Sequence, residues 1–233
     1  MIKGVIFDLD GTLLNTLTDL AAAGNYVLEA HGYAPYSEEA YKLMVGNGIP
    51  NLVRRMLSGT NAYTPPKEEA ETFEKLPHEL FEQLLSEFMT YYQAHSEDQT
   101  EPYPGIEDIL LHLRQAGVKM SVVSNKADEP VKQLMLRYFG PIFTSTVGAR
   151  LGRKIKPDPE STLEAVAMLG LSKEEVLYVG DSNVDMITAR NAGLRSCGVL
   201  WGFRGEEELK AAGADLLAED AAALERLILG AEK

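Results

Sequence analysis

Ile2-Lys3-Gly4-Val5-Ile6-Phe7-Asp8-Leu9-Asp10-Gly11-Thr12 is an apolar run that brings two carboxylates, Asp8 and Asp10, to its end just before Gly11 breaks the pattern. Side chains alternate along an extended backbone, so both carboxylates fall on one face at the C-terminal tip of the expected strand. Adjacent carboxylates repel, and a cation or a shared proton has to hold them together. A lone Asp-x-Asp-Gly is equally compatible with a solvated turn whose aspartates accept from loop amides. The rest of the chain has to decide between the two.

Three further apolar runs, at 118–123, 176–179 and 197–200, repeat the arrangement of 4–7: each precedes a Gly, Asp or Ser cluster and then a helical pattern. The spacing predicts helices over 105–116, 129–139, 159–169 and 185–192, several of them ending at Gly. Strands alternating with helices predict an α/β fold with a doubly wound parallel sheet. Ligands of such sheets gather beyond the carboxyl ends of the strands. Asp8, Ser124 and Asp181 all fall at those ends and are therefore expected to converge in space. Residues 16–95 follow different rules, with helical periodicity, no convincing strand, and breaks near 32–35, 46–48 and 59–66. Leu17, Leu20, Ala21, Val27 and Leu28 fit one amphipathic helix, and 40–57 and 77–95 suggest others. The expected organisation is a core of 1–15 and 96–233 interrupted by a helical insert, 16–95.

Four segments in order carry a family resemblance: Asp8-Leu9-Asp10-Gly11-Thr12-Leu13, Ser124 after Met120-Ser121-Val122-Val123, Lys156-Pro157, and Gly180-Asp181-Ser182-Asn183-Val184-Asp185. Together they resemble the motifs of the haloacid dehalogenase superfamily. The resemblance implies that Asp8 is a nucleophile, that Asp10 is the acid and base, that Ser124 donates to a phosphoryl oxygen, and that Lys156 pairs with the nucleophile. It implies Mg²⁺ on a carboxylate oxygen of Asp8, the backbone carbonyl of Asp10, and Asp181. Asp185 is expected as a further or outer ligand, although a carboxylate at the start of a helix is also explained as a cap. The insert would be a mobile cap. Resembled dehalogenases lack the second aspartate, and a phosphonatase would carry a cap-loop lysine where this chain has Gly46-Asn47-Gly48-Ile49-Pro50, so phosphoryl transfer is the expected chemistry.

Within the superfamily, Val45-Gly46-Asn47-Gly48 followed by Leu52-Val53-Arg54-Arg55, together with Ser124-Asn125-Lys126 and Leu200-Trp201-Gly202-Phe203-Arg204, resembles the phosphoglycolate phosphatases. Asn15 departs from the Asp that relatives often carry. The resemblance sets Thr12, Gly46, Asn47, Gly48, Arg54 and Asn125 at the substrate. The last five of these have a plainer reading as turn, cap or solvated residues. A sugar-phosphate mutase, a pyrophosphatase and a catalytically idle interaction module remain as alternatives.

Composition narrows the partners. A formal charge of −13 argues against a general nucleic-acid or anionic-membrane surface. Screening over about 8 Å lets a bound metal and one or two lysines set a local field that admits a small phosphorylated metabolite. The single cysteine, Cys197, cannot form an internal disulfide and is expected in the core. No apolar run reaches the roughly 18 residues of a membrane span. The expectation is a cytoplasmic protein, monomer or homodimer. Trp201, Tyr103 and the methionines are expected to pack in the core or at its rim, and the four histidines have no metal-ligand spacing.

Overall fold

The structure is a computed structural model and describes residues 1–230. In chain order the elements are β1 (Gly4–Phe7), β2 (Leu14–Asn15), α1 (Leu17–Ala30), α2 (Glu38–Met44), α3 (Ile49–Ser58), α4 (Pro66–Glu74), α5 (His78–His95), β3 (Glu101–Pro102), α6 (Ile106–Gln115), β4 (Lys119–Ala127), α7 (Asp128–Phe139) and β5 (Ser145–Ala149). They continue with α8 (Glu160–Leu169), β6 (Val176–Gly180), α9 (Asn183–Ala192), β7 (Arg195–Val199), α10 (Glu206–Ala211), β8 (Leu216–Ala218) and α11 (Ala221–Leu229). The chain divides into two compact units, 1–15 with 102–233, and 16–101.

The first unit is built on a six-stranded sheet of order β5-β4-β1-β6-β7-β8, with every neighbouring pair parallel. The α/β, doubly wound parallel architecture is therefore as expected. Alternation explains the layering. Val5 and Phe7 face one way and join Val122, Val179 and Val199 under Ile109, Leu113, Val131, Leu134 and Leu224 of α6, α7 and α11. Ile6 faces the other way and joins Val123, Val147 and Tyr178 against Ala165, Leu169, Ala189 and Ala192 of α8 and α9. Each fully buried aliphatic or aromatic side chain contributes roughly 1.5–3 kcal/mol. Cys197 is fully buried on the first face.

The strand order reverses at β1. Phe7 stands level with Val122 of β4 and Val179 of β6, so the loops leaving these three strands meet at one switch point. Two edge strands are not legible as apolar runs: β5 reads Ser-Thr-Val-Gly-Ala, and β8 is only three residues long. β4 runs beyond the expected 123 to Ala127, with its register against β5 broken between Val123 and Ala127.

In the helical unit the stretch 40–57 forms two helices, separated at the break expected near 46–48. α2 ends at Met44 and α3 begins at Ile49, because Gly46 and Gly48 take φ +119° and +80°, outside the helical range, and Pro50 suits a helix start. α4 is not legible in the sequence, since it buries no residue and leaves no apolar stripe. α1 packs on α5, and Leu20, Val27 and Leu28 of the one and Phe81, Leu84 and Phe88 of the other are buried. The unit ends at 101, later than the expected 95. The buried Asp19 of α1 accepts from the backbone N–H groups of Gln99 and Thr100 and from the Thr100 hydroxyl, tying 99–100 to the helices.

Candidate active site

β1 delivers Asp8 to the switch point, and the Asp8 N–H donates to the Val179 carbonyl at 2.9 Å. The alternation that sends Ile6 toward α8 and α9 aims Asp8 the same way, and Lys156 and Asp185 arrive from that side. Lys156 Nζ lies 2.7 Å from Asp8 Oδ1 and 2.8 Å from Asp185 Oδ1, and all three residues are buried. Tyr178 lies below, its hydroxyl 3.4 Å from Asp185 Oδ1.

Asp181 follows β6 and is held from two sides. Thr12 Oγ1 donates to its Oδ1 at 3.1 Å, and the Phe203 N–H, from the loop after β7, donates to its Oδ2 at 2.8 Å. Trp201 does more than pack: its indole N–H donates to the Thr12 carbonyl at 3.0 Å, fixing the residue that fixes Asp181. Thr12, expected at the substrate, is fully buried with its hydroxyl committed to Asp181.

Asp185 caps a helix and also pairs with a lysine. Oδ2 accepts from the Ser182 N–H and hydroxyl as half of a capping box at the start of α9, and Oδ1 accepts from Lys156. Carboxylate oxygens of Asp8, Asp181 and Asp185 lie within 4.8 Å of one another. This buried acidic triad is suited to a cation. Its donors are hard oxygens, which favour Mg²⁺ or Ca²⁺ over softer metals. Three carboxylates also face one ammonium, which leaves negative charge uncompensated. Burial and then Asp185 push the Asp8 carboxyl well above its usual range, against the pull of Lys156. Burial and Asp185 likewise raise Asp181 to about 7, against the Phe203 N–H, Arg204 and Thr12. Burial opposes charge on Lys156, but Asp185 and Asp8 overcome it and hold the ammonium well above its ordinary value. A divalent ion held there would offset the mutual repulsion of these carboxylates.

Ser124 follows the last regular pair of β4, Val123 with Val147, and its hydroxyl accepts from the Lys126 N–H at 3.1 Å. Asn125, expected at the substrate, clamps the loop of Lys156. Its Oδ1 accepts from the Lys156 N–H at 2.8 Å, and its Nδ2 donates to the Lys156 carbonyl at 3.1 Å. Asp10 is the most exposed carboxylate of the group, its side chain 22% accessible, and Lys126 Nζ stands 3.3 Å from its Oδ1. Sequence reasoning assigns Lys126 no role, although it belongs to the Ser124-Asn125-Lys126 pattern. The signal available was its position two residues after Ser124 in an extended segment.

The remaining expected residues lie in the helical unit. Gly46, Asn47 and Gly48 form the link between α2 and α3. Arg54 donates to Asn51 at 3.1 Å, and its guanidinium lies 4.4 Å from the ring centroid of Phe81. Arg55 is the buried one, bonded to Glu69 and to the Met44 carbonyl.

A parallel sheet with an acidic triad and a lysine at its switch point defines a class of hydrolase. The chain belongs to the haloacid dehalogenase-like hydrolases, whose family model matches residues 5–199. It is 35% identical to a phosphoglycolate phosphatase of Pseudomonas putida over 94% of this chain and 77% of that protein, and 36% identical to one of Cereibacter sphaeroides over 86% of each. Among solved structures, a candidate phosphoglycolate phosphatase from Lactobacillus delbrueckii subsp. bulgaricus is 36% identical and superimposes with a TM-score of 0.88, covering 98% of this chain and 99% of that one. Among the described residues no helix is long and apolar enough to cross a membrane.

Proposed function

We propose that this enzyme is a Mg²⁺-dependent phosphatase that hydrolyses a small phosphomonoester, 2-phosphoglycolate, through a phosphorylated Asp8. The observation that carries the chemistry is the buried Asp8 beside Lys156, within an acidic triad at the end of the switch-point strand. The substrate follows from the names of the relatives and from their likeness over nearly the whole chain.

Asp8 attacks phosphorus, and the alcohol leaves with a proton from Asp10. Asp10 then takes a proton from water, which attacks the phosphorylated Asp8 and frees phosphate. Splitting one displacement into two lowers each barrier. Lys156 offsets charge between nucleophile and phosphoryl group, and Ser124 offers its hydroxyl to a phosphoryl oxygen. Asp8, Asp181 and the Asp10 carbonyl would hold Mg²⁺, with Asp185 behind them. Bound there, the ion supplies positive charge against the phosphoryl oxygens. In this reading the helical unit is the cap, and Gly46, Asn47, Gly48 and Arg54 are its substrate residues.

Phosphate release tests the reading, measured with and without Mg²⁺ over 2-phosphoglycolate, glucose phosphates, pyridoxal phosphate, nucleotides and pyrophosphate. Mg²⁺-dependent release with a preference for 2-phosphoglycolate is expected, and Asp8→Asn should lower kcat by at least about 10³-fold. Undiminished turnover by that variant removes the mechanism; preference for another compound removes the substrate.

A further inference from the structure

The loop that leaves β7 reaches Asp181 by two routes. The Phe203 N–H donates directly to Oδ2 at 2.8 Å. Two residues earlier, the indole N–H of Trp201 donates to the Thr12 carbonyl at 3.0 Å, and the Thr12 hydroxyl donates to Oδ1 at 3.1 Å. Both oxygens of one carboxylate are therefore tied to a single loop, which sets the plane of the carboxyl group and the direction of its remaining lone pairs. Thr12 is 0% exposed and Asp181 1%, so water is not at hand to replace these bonds. The turn that carries Thr12 is closed within itself by the Thr12 N–H on the Leu9 carbonyl at 3.2 Å and the Gly11 N–H on the Leu14 carbonyl at 2.9 Å. Trp201 is the bond that fastens this turn to the loop after β7. Its ring packs against the sheet core, a task any large apolar side chain performs, whereas the donor at its edge is particular to indole.

We propose that Trp201 is a positioning residue for the cation: its indole N–H holds the Thr12 turn, the Thr12 hydroxyl holds Asp181, and the affinity of the acidic triad for Mg²⁺ depends on that relay. The proposal rests on the Mg²⁺ part of the phosphatase reading and deepens it. A carboxylate already oriented toward an ion gives up no freedom on binding it, and a partner that fixes such a ligand typically carries 10- to 100-fold in metal affinity. The indole acts one bond further out, where a single hydrogen bond is worth about 3- to 10-fold.

Trp201 is the only tryptophan of the chain, so a tryptophan auxotroph fed benzothienylalanine replaces that one N–H by sulfur and keeps the shape of the ring. The Mg²⁺ Kd is read without substrate, from the rise in melting temperature across a Mg²⁺ titration. The analogue protein and Trp201→Phe should bind Mg²⁺ about 3- to 10-fold more weakly than wild type, and Thr12→Val about 10- to 100-fold. The analogue placed in Thr12→Val should add no further loss, because the relay is already cut. Ile228→Val, which trims the same core cluster, should leave the Kd unchanged. A wild-type Kd in the analogue protein overturns the proposal. So does an additive loss in the Thr12→Val background, and so does an equal loss in Ile228→Val, which would tie the Kd to core packing. In each of these the wild type still binds Mg²⁺ and the phosphatase reading stands. A wild type that shows no Mg²⁺ stabilisation overturns the cation reading and this proposal with it.

Discussion

A methyl group added at Gly202 would stand 2.2 Å from Asp181 Cβ and 2.4 Å from the Gly11 carbonyl oxygen, both closer than any real contact allows. Gly11 is similarly confined, with φ +89° and Asp181 Oδ2 at 2.3 Å from the position of a Cβ. These two glycines let the loop after β1 and the loop after β7 close on one carboxylate. Gly202→Ala must therefore displace Asp181 or its support. Overpacking of this kind costs about 1–3 kcal/mol. The melting temperature should fall, and the Mg²⁺ concentration for half-maximal thermal stabilisation should rise. An unchanged cation response in a titration followed by differential scanning calorimetry would show that Asp181 is not held in this way.

At the scale of elements, the start of α9 and the loop of Lys156 share one carboxylate. Asp185→Ala removes the cap acceptor from Ser182 and one of the two partners of a buried ammonium. Breaking a buried pair from one side costs about 3–5 kcal/mol. The expected outcome is a lower urea midpoint with an unchanged m value; a shift of less than about 1 kcal/mol would mean that Lys156 is adequately served by Asp8 alone. A second pair ties the chain start to the turn before β6: Lys3 Nζ lies 2.6 Å from Glu175 Oε1, and Glu175 also accepts from the Ser172 N–H. Lys3 and then that N–H lower the Glu175 carboxyl from 4.5 to about 2. A depressed carboxyl stabilises the fold above its unfolded value, and that contribution is lost as pH falls from about 4.5 toward 2. Glu175→Gln should thus be destabilising at pH 6 and nearly neutral at pH 2, a difference that urea titrations at the two pH values would measure. The pair is largely solvated, so the effect should be small and should weaken with salt.

For the molecule as a whole, the triad holds more negative charge than Lys156 answers, in a chain already at −13. A ligand that binds only the folded state stabilises it by about 2.7 kcal/mol at a hundred times its Kd. Saturating Mg²⁺ should accordingly raise the melting temperature of the sheet unit by roughly 5–10 °C, a gain that EDTA reverses and that Asp181→Asn greatly reduces. A rise of equal size in that variant would place the cation elsewhere.

The parallel sheet, its helices and the approach of Asp8 to Asp181 were legible in the chain because periodicity and strand ends are local properties, written in Val5-Ile6-Phe7 and in Val176-Leu177-Tyr178-Val179. The lysine beside Asp8 and the acidic residues around it were legible through the family pattern. What only the tertiary structure decided is which polar groups satisfy one another. Thr12 serves Asp181, Asn125 clamps the Lys156 loop, Trp201 secures Thr12, and Lys126 reaches Asp10. The strands β5 and β8 belong with them, since edge strands need little apolar sequence. Periodicity reports which side of an element is buried. A hydrogen bond between residues more than a hundred positions apart depends on loop paths and distances of a few tenths of an ångström, and those exist only once the sheet has assembled.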